Sequence, residues 1–213
     1  MNTIQESISH GCFSQVFINQ GIAVKKFKYT NGHLIRPEIL NVGYDDVISI
    51  STAEQVIQNE HSIHSYVSNL AKSIGQPGMF PEYIQIPDDK KPYYLLSRAA
   101  TCDVSKMEMN TLLAETLVDH VAHALALMHW AKIVHGDIKE QNILWDKVNR
   151  QFQVADFGCS STCFTTDKIQ RDLMQTAQMI MRICKTLCVS YQPLVEKMIQ
   201  MYSNCKLVYS MYN

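Results

Sequence analysis

The sequence has almost no net charge, which limits the functions it can serve. Its 19 lysines and arginines nearly balance 20 aspartates and glutamates, and the formal net charge is −1. Because nucleic acids and anionic membranes select proteins with a basic excess, neither is expected as the main partner. Hydrophobic residues make up 46% of the chain and charged residues 18%, so we expect a globular fold, not a disordered chain.

The sequence also lacks a membrane span and a disulfide framework. No run reaches the 18 or more apolar residues of a spanning helix, and the first residues lack the basic start and apolar run of a signal peptide. Seven cysteines are an odd number in a chain of 213 residues, which is too large to need disulfides. We therefore expect a soluble protein in a reducing compartment, with reduced thiols.

Alternating apolar residues and turn signals predict a β-rich first half. Residues 8–28 have the pattern of a β-hairpin that turns at 19–21, where the sequence reads Asn-Gln-Gly. A second hairpin is predicted for 83–86 and 93–96, which flank a Pro-Asp-Asp turn signal. The stretch 29–50 has no sustained period, so we predict an irregular connection there.

Apolar residues at helical spacing predict a mostly helical second half. One helix, from about Thr52 to Ala71, follows an S/T-x-x-E capping signal, and a long one has an apolar face from Leu113 to Met128. Two more are predicted over Leu173–Leu187 and Leu194–Met201. The change of character predicts two lobes that meet near 96–103.

The most specific pattern is HGDIKEQN at residues 135–142, followed by DFG at 156–158. The two strings, with Asp156 fourteen residues after Asn142, resemble the catalytic loop and the magnesium-binding motif of protein kinases. Membership of the protein kinase-like superfamily implies an α+β bilobal fold with a β-rich N-lobe and a truncated helical C-lobe. We expect a single domain, residues 1–213, with an N-lobe of about 1–96, a hinge of about 97–103 and a C-lobe of about 104–213.

The resemblance also implies roles for four residues of these strings. Asp137 would accept the proton of the attacking hydroxyl, and Lys139 would neutralise charge that develops on the transferred phosphoryl group. Asn142 and Asp156 would hold Mg²⁺, which accepts amide and carboxylate oxygens together with phosphates and water. ATP and Mg²⁺ are therefore the implied cofactors.

Weaker matches in the first half imply the nucleotide-binding residues. The stretch SHGCFSQV at 9–16 resembles the glycine-rich loop of kinases but keeps only its middle glycine. The stretch IAVK at 22–25 matches the strand that carries the phosphate-binding lysine, and the backbone of 95–100 would contact adenine. The nucleotide-binding residues implied in this way are Gly11, Ser14, Val16, Ala23, Lys25 and Glu60, the last as the acid that pairs with Lys25.

The sequence departs from regulated protein kinases in two places. Gly136 precedes the catalytic aspartate where Arg is usual, so we do not expect activation by loop phosphorylation. No A-P-E motif follows Gly158, and only thirteen residues separate it from Asp172, which resembles the start of the helix that supports the catalytic loop. With the chain ending at Asn213, we expect the activation segment and the later helices to be missing.

This minimal pattern is similar to the kinases that bacterial secretion systems inject, the OspG, NleH and HopBF groups. The resemblance implies a serine/threonine-protein kinase that acts on a host protein in the cytoplasm of a host cell. A HopBF-like enzyme would act on the chaperone HSP90, whereas an OspG-like enzyme would be activated by a ubiquitin-conjugating enzyme. The residues do not choose between these partners.

Two alternative functions stay open. The HGD string without an activation loop also resembles Bud32-like kinases and small-molecule kinases such as the aminoglycoside and choline phosphotransferases. The second alternative is a pseudokinase, a binding module in which the incomplete glycine-rich loop marks lost catalysis. We favour an active enzyme because the residues that chemistry needs are all present: Lys25, Glu60, Asp137, Asn142 and Asp156.

Overall fold

A computed structural model describes most of the 213-residue chain. The described residues fall into two compact units. Unit one consists of Met1–Ser65 and Glu82–Ala99, and unit two of Tyr66–Pro81 and Ala100–Asn213. The ranges that the structure describes are 9–10, 14–27, 29–30, 33–34, 50–84, 94–162 and 164–211.

Unit one contains an antiparallel sheet of five strands. The predicted first hairpin is confirmed, and its turn has left-handed backbone at Gln20 and Gly21 (φ 49° and 76°), as tight hairpin turns require. The second predicted hairpin is also confirmed by its paired strands. The strands are β1 (Ser9–His10), β2 (Ser14–Asn19), β3 (Ile22–Phe27), β6 (Tyr83–Ile84) and β7 (Tyr94–Arg98), in the order β1-β2-β3-β7-β6.

The stretch 29–50 is not wholly irregular, which corrects the sequence prediction. Strands β4 (Tyr29–Thr30) and β5 (His33–Leu34) pair antiparallel within it. Strands of two residues leave no measurable alternation in a sequence, so periodicity could not detect them. Residues 35–49 lie outside the described residues.

The first helix, α1, spans Ile50–Ser73, two residues more at each end than predicted. Its buried positions include Ile57, Glu60 and Val67, which recur at helical spacing. The helix ends in a Schellman motif, in which Gly75 adopts φ +74° and Gln76 N–H donates to the Ala71 carbonyl at 2.8 Å. The division between the units falls within this helix, after Ser65.

The long core helix of unit two, α2, spans Thr111–Trp130. Asn110 caps it by accepting the Leu113 N–H at 2.9 Å. In length and composition it is the one helix among the described residues that is long and apolar enough to cross a membrane. Eleven of its residues are nevertheless buried inside the unit, as expected of a core helix.

The remainder of unit two holds a three-stranded antiparallel sheet and two further helices. The strands are β8 (Cys102–Asp103), β9 (Ile143–Asp146) and β10 (Gln151–Val154), in the order β10-β9-β8. The helices α3 (Thr166–Leu187) and α4 (Gln192–Ser210) are both longer than the sequence predicted. Asp172, predicted to head a helix, lies inside α3 because the helix starts six residues earlier, after the Thr165 cap.

Candidate active site

Unit one brings Lys25 and Glu60 together. Lys25 lies on β3 between Val16 of β2 and Leu95 of β7, and its Nζ is 2.5 Å from Oε1 of Glu60 on α1. The side chains are only 14% and 3% exposed. A charged pair this well shielded from water is held firmly, because each partner would be costly to leave alone.

The other nucleotide-binding residues predicted in unit one lie on the same two strands or outside the described part. Ser14 begins β2 and is buried, while Val16 pairs with Lys25 and Ala23 is paired with Ile18. Gly11 lies outside the described residues. Their roles in nucleotide binding stay predictions.

The predicted hinge starts inside a strand. Residues 95–98 belong to β7, and the Ala99 N–H donates to the Gly21 carbonyl at 2.9 Å. That N–H group is therefore already used within unit one. The predicted contact of residues 95–100 with adenine would use other backbone groups of the segment.

Unit two places Lys139 and Asn142 around the carboxylate of Asp137. Lys139 Nζ is 2.6 Å from Asp137 Oδ2, and Asn142 Nδ2 donates to the same oxygen at 2.9 Å and to the Asp137 carbonyl at 2.8 Å. Both side-chain donors therefore engage the same carboxylate oxygen, Oδ2. The Asp137 side chain is 32% exposed and that of Lys139 is 42% exposed, which leaves the carboxylate accessible to a hydroxyl of another protein.

A buried carboxylate supports this loop from below. Asp172 of α3 accepts the backbone N–H groups of His135 (2.8 Å) and Gly136 (2.7 Å) and contacts His129 Nε2 at 2.9 Å. Burial alone would raise the pKa of Asp172, but the hydrogen bonds from His129, Gly136 and His135 together hold it below its ordinary value. The ionised carboxylate thus fixes the path of the backbone next to Asp137.

The structure explains why residue 136 is a glycine, which the sequence alone did not. Its φ is +84°, and a Cβ at this position would lie 2.7 Å from the Cys159 carbonyl oxygen. The glycine therefore permits both a left-handed backbone and a close approach to the segment after DFG. A glycine between two chemically specific residues was the available signal for such a constraint.

Both ring nitrogens of His135 form hydrogen bonds with backbone groups. Its Nε2 donates to the Ala155 carbonyl at 3.0 Å, and its Nδ1 accepts the Asp137 N–H at 3.3 Å. Burial lowers its pKa, outweighing the opposing effect of nearby carboxylates such as Asp172. The neutral ring matches these two hydrogen bonds, one given and one accepted.

The two predicted metal ligands are linked through the backbone. The Ala155 N–H, adjacent to Asp156, donates to the Asn142 carbonyl at 2.9 Å. Asp156 adopts a left-handed conformation (φ 66°, ψ 78°), which costs a non-glycine residue on the order of 1–3 kcal/mol and is typical of functional positions. An amide oxygen and a carboxylate suit Mg²⁺, so the residues present fit this ion.

Sequence reasoning missed the polar contacts behind the loop. His129, interpreted as a core residue, is buried and its Nδ1 lies 2.8 Å from the Tyr202 hydroxyl of α4. Gln175 of α3 accepts the Ile138 N–H through Oε1 at 3.0 Å and donates to the Gly136 carbonyl through Nε2 at 3.3 Å. These partners come from distant parts of the chain and carry no local motif.

Comparisons with known proteins agree with the geometry. A family model described as the protein kinase domain matches residues 15–211. Among curated proteins, the Aurora kinase of Saccharomyces cerevisiae is 24% identical over 154 residues, covering 65% of this chain and 42% of that protein. The serine/threonine-protein kinase AKL1 of the same yeast is 33% identical over 84 residues, covering 37% of this chain and 8% of that protein.

A third relative extends the same pattern. The yeast serine/threonine-protein kinase PKH1 is 28% identical over 118 residues, which cover 52% of this chain and 15% of that protein. The chain therefore spans less than half the length of each of these three relatives.

Proposed function

The chain belongs to the protein kinase domain family, and from this premise we propose that it transfers the γ-phosphate of ATP to a serine or threonine hydroxyl of a protein. The predicted α+β kinase-like fold is confirmed by the family match and by the β-rich and helical parts of the chain. The names of two yeast relatives support serine/threonine specificity. The observation that carries the proposal is the Asp137 carboxylate, positioned by Lys139 and Asn142.

In this proposal Asp137 orients the attacking hydroxyl and accepts its proton. Its Oδ2 is engaged by Lys139 and Asn142, so Oδ1 is the atom suited to the substrate. Lys139 stands beside it as a cation that can shift to the phosphoryl oxygens as charge develops there.

Asn142 and Asp156 would hold Mg²⁺. Asn142 uses Nδ2 for Asp137, and its Oδ1 is therefore the atom left for a cation. Asp156 is turned into its left-handed conformation beside the backbone that pairs with Asn142. Bound Mg²⁺ would supply positive charge against the phosphates of ATP.

For unit one we propose nucleotide binding. Lys25 would contact the α- and β-phosphates, and Glu60 would hold its ammonium group in position. The backbone around Gly11, Ser14 and Val16 would donate to phosphate oxygens, while the small side chain of Ala23 would leave room for the adenine ring.

The finer proposal is that the enzyme is a minimal effector kinase of bacterial origin, secreted into the cytoplasm of a host cell. It is supported by the short segment after DFG, since only residues 159–165 lie between Gly158 and α3. A protein substrate then has few activation-segment residues to contact. The partners that this proposal puts first are the chaperone HSP90, as substrate, and a ubiquitin-conjugating enzyme, as activator.

The test is transfer of radiolabelled γ-phosphate with Mg²⁺ by the wild type, Asp137→Asn and the control Asp167→Asn, whose exposed carboxylate lies in the first turn of α3. Each is assayed alone, with HSP90, with a ubiquitin-charged conjugating enzyme, with eukaryotic extract and with small-molecule acceptors. We expect labelled protein from the wild type and the control but not from Asp137→Asn.

Each other result points elsewhere. Label on an aminoglycoside or choline instead of protein would favour a small-molecule kinase. Labelling that requires neither extract nor either partner would speak against the effector proposal. A wild type as silent as Asp137→Asn in every setting would replace catalysis with the pseudokinase reading.

A further inference from the structure

A groove on unit two exposes an apolar surface beside helix α3. Its volume is about 490 Å³, and Met181, Val189 and Tyr191 are 43%, 40% and 47% exposed. Large apolar side chains that cluster at the surface are typical of binding sites. The groove is lined by Gln178, Met181, Arg182, Lys185, Val189 and Tyr191.

The groove adjoins the catalytic loop through Arg182. The guanidinium donates from Nε and Nη2 to both carboxylate oxygens of Glu140, at 2.7 and 3.0 Å. Glu140 directly follows Lys139 in the chain. On helix α3, Gln175 lies about one turn before Gln178 and forms hydrogen bonds with the backbone of the catalytic loop. Helix α3 therefore positions the loop and the groove as one rigid piece.

Both charged residues that line the groove are cations. Glu140 neutralises much of the charge of Arg182 but engages only two of its five N–H groups. Lys185, one turn further along, is exposed. An apolar surface with ammonium and guanidinium groups at its edge is complementary to a segment that combines an apolar side chain with a carboxylate.

We propose that this groove binds a segment of the protein substrate that carries an apolar residue and an aspartate or glutamate. The proposal rests on the kinase function above and adds a substrate class to it. Glu140 lies three positions after Asp137. Because Arg182 is held against Glu140, the groove lies beside the catalytic loop, and the acidic residue should flank the phosphorylated hydroxyl in the substrate.

The first test uses peptide libraries with a fixed serine or threonine and randomised flanks. We expect the wild type to prefer aspartate or glutamate at least fivefold at one flanking position. Lys185→Glu should abolish or reverse the preference, whereas the control Lys206→Glu, an exposed lysine of α4 outside the groove, should keep it. A preference that is unchanged in Lys185→Glu would overturn the proposal.

A second test separates the groove from catalysis. Fluorescence anisotropy of the best library peptide, or of a Leu/Asp-rich serine peptide if no transfer occurs, is measured on the Asp137→Asn protein. Met181→Glu should weaken binding at least tenfold, while Leu207→Glu, exposed on α4, should not. A wild type that transfers no phosphate, together with intact binding of the peptide in the groove, would refute only the kinase function.

Two results would refute the groove as a substrate site. One is binding that Met181→Glu leaves unchanged while circular dichroism shows both variants folded. The other is a wild-type dimer in light scattering that Met181→Glu separates, since the groove would then be covered by a second copy of the chain.

Discussion

At the scale of single residues, strand β3 shows how adjacent lysines acquire different roles. Successive side chains of a strand point to opposite faces, so Lys25 reaches Glu60 while Lys26 is exposed. Because Lys25 and Lys26 are both lysines and are adjacent on one strand, they are a matched pair for experiment.

We expect Lys25→Met to lower kcat/KM for ATP by about 10²–10³, as for removal of one preorganised charged donor. Lys26→Met should change it by less than about twofold, because exposed positions of this kind tolerate substitution. Steady-state kinetics at several ATP concentrations makes the comparison. Similar losses in the two variants would contradict the assigned role of Lys25.

Gly136 allows a second residue-scale prediction. Gly136→Ala should lower the free energy of unfolding by more than Gly75→Ala. Both glycines have positive φ, which costs alanine about 1–2 kcal/mol, but only at Gly136 would the new Cβ meet a backbone oxygen, whereas at Gly75 it meets nothing within 4 Å. Thermal unfolding measures the difference, at roughly 2–4 °C per kcal/mol for a chain of this size.

The same variant should lose activity as well as stability, because Gly136 N–H is one of the donors that hold the loop on Asp172. Gly75→Ala is the control for activity, since Gly75 only ends α1. Equal melting temperatures for the two variants would show that the backbone near Cys159 can relax to accept a side chain.

At the scale of elements, helix α4 is connected to the catalytic loop through a buried polar chain. The Tyr202 hydroxyl contacts His129 Nδ1, His129 Nε2 contacts Asp172, and Asp172 accepts the N–H groups of the loop. Burial and the charge of Asp172 raise the pKa of Tyr202 to about 12, so the hydroxyl keeps its proton. It can therefore donate to Nδ1, and Nε2–H can then donate to Asp172.

We expect Tyr202→Phe to destabilise the fold by about 1–3 kcal/mol, the cost of leaving a buried acceptor unsatisfied. It should also lower kcat by a larger factor than it changes KM for ATP, because the support of the catalytic loop is loosened. Met198→Ala on the same helix is the control, since Met198 is buried and its side chain carries no hydrogen-bond donor. A variant with unchanged kcat would show that Asp172 holds the loop without help from α4.

The sequence predicted those helices and strands whose signals lie in neighbouring residues of the chain. The β2–β3 hairpin, α1 and α2 have turn residues, a capping signal or a long apolar face, and all three are confirmed. Strands β4 and β5 were missed because they are two residues long. The start of α3 was missed because Thr166–Arg171 is mostly polar, and there the Thr165 cap begins the helix.

At the scale of the whole molecule, stability should depend on pH through two histidines. Burial lowers the pKa of His135 and of His120, because the charged ring would lose its hydration. Above their ordinary pKa of 6.5 neither state binds the proton. Below it the unfolded chain takes up protons that the folded protein refuses, so the free energy of unfolding falls as pH is lowered.

We expect a loss of up to about 1.4 kcal/mol per pH unit for each histidine below pH 6.5. Urea unfolding between pH 7.5 and 5.5 measures it, above the range in which the carboxylates titrate. His135→Phe and His120→Phe should each remove part of the slope and the double variant most of it. A slope that persists in the double variant would assign the pH dependence to other groups.

The sequence by itself determined what is written in neighbouring residues. The helices and hairpins follow from periodicity and turn chemistry, and the HGDIKEQN and DFG strings sufficed to indicate the kinase family. Such features depend on interactions within a few positions of the chain. A reader of the sequence alone has access to all of them.

Only the tertiary structure decided which distant side chains meet. Asp172 reaches Gly136 across 36 positions, Arg182 reaches Glu140 across 42, and Tyr202 reaches His129 across 73. These contacts arise from the packing of α2, α3 and α4, and a single polar residue on a helix gives no sign of its partner.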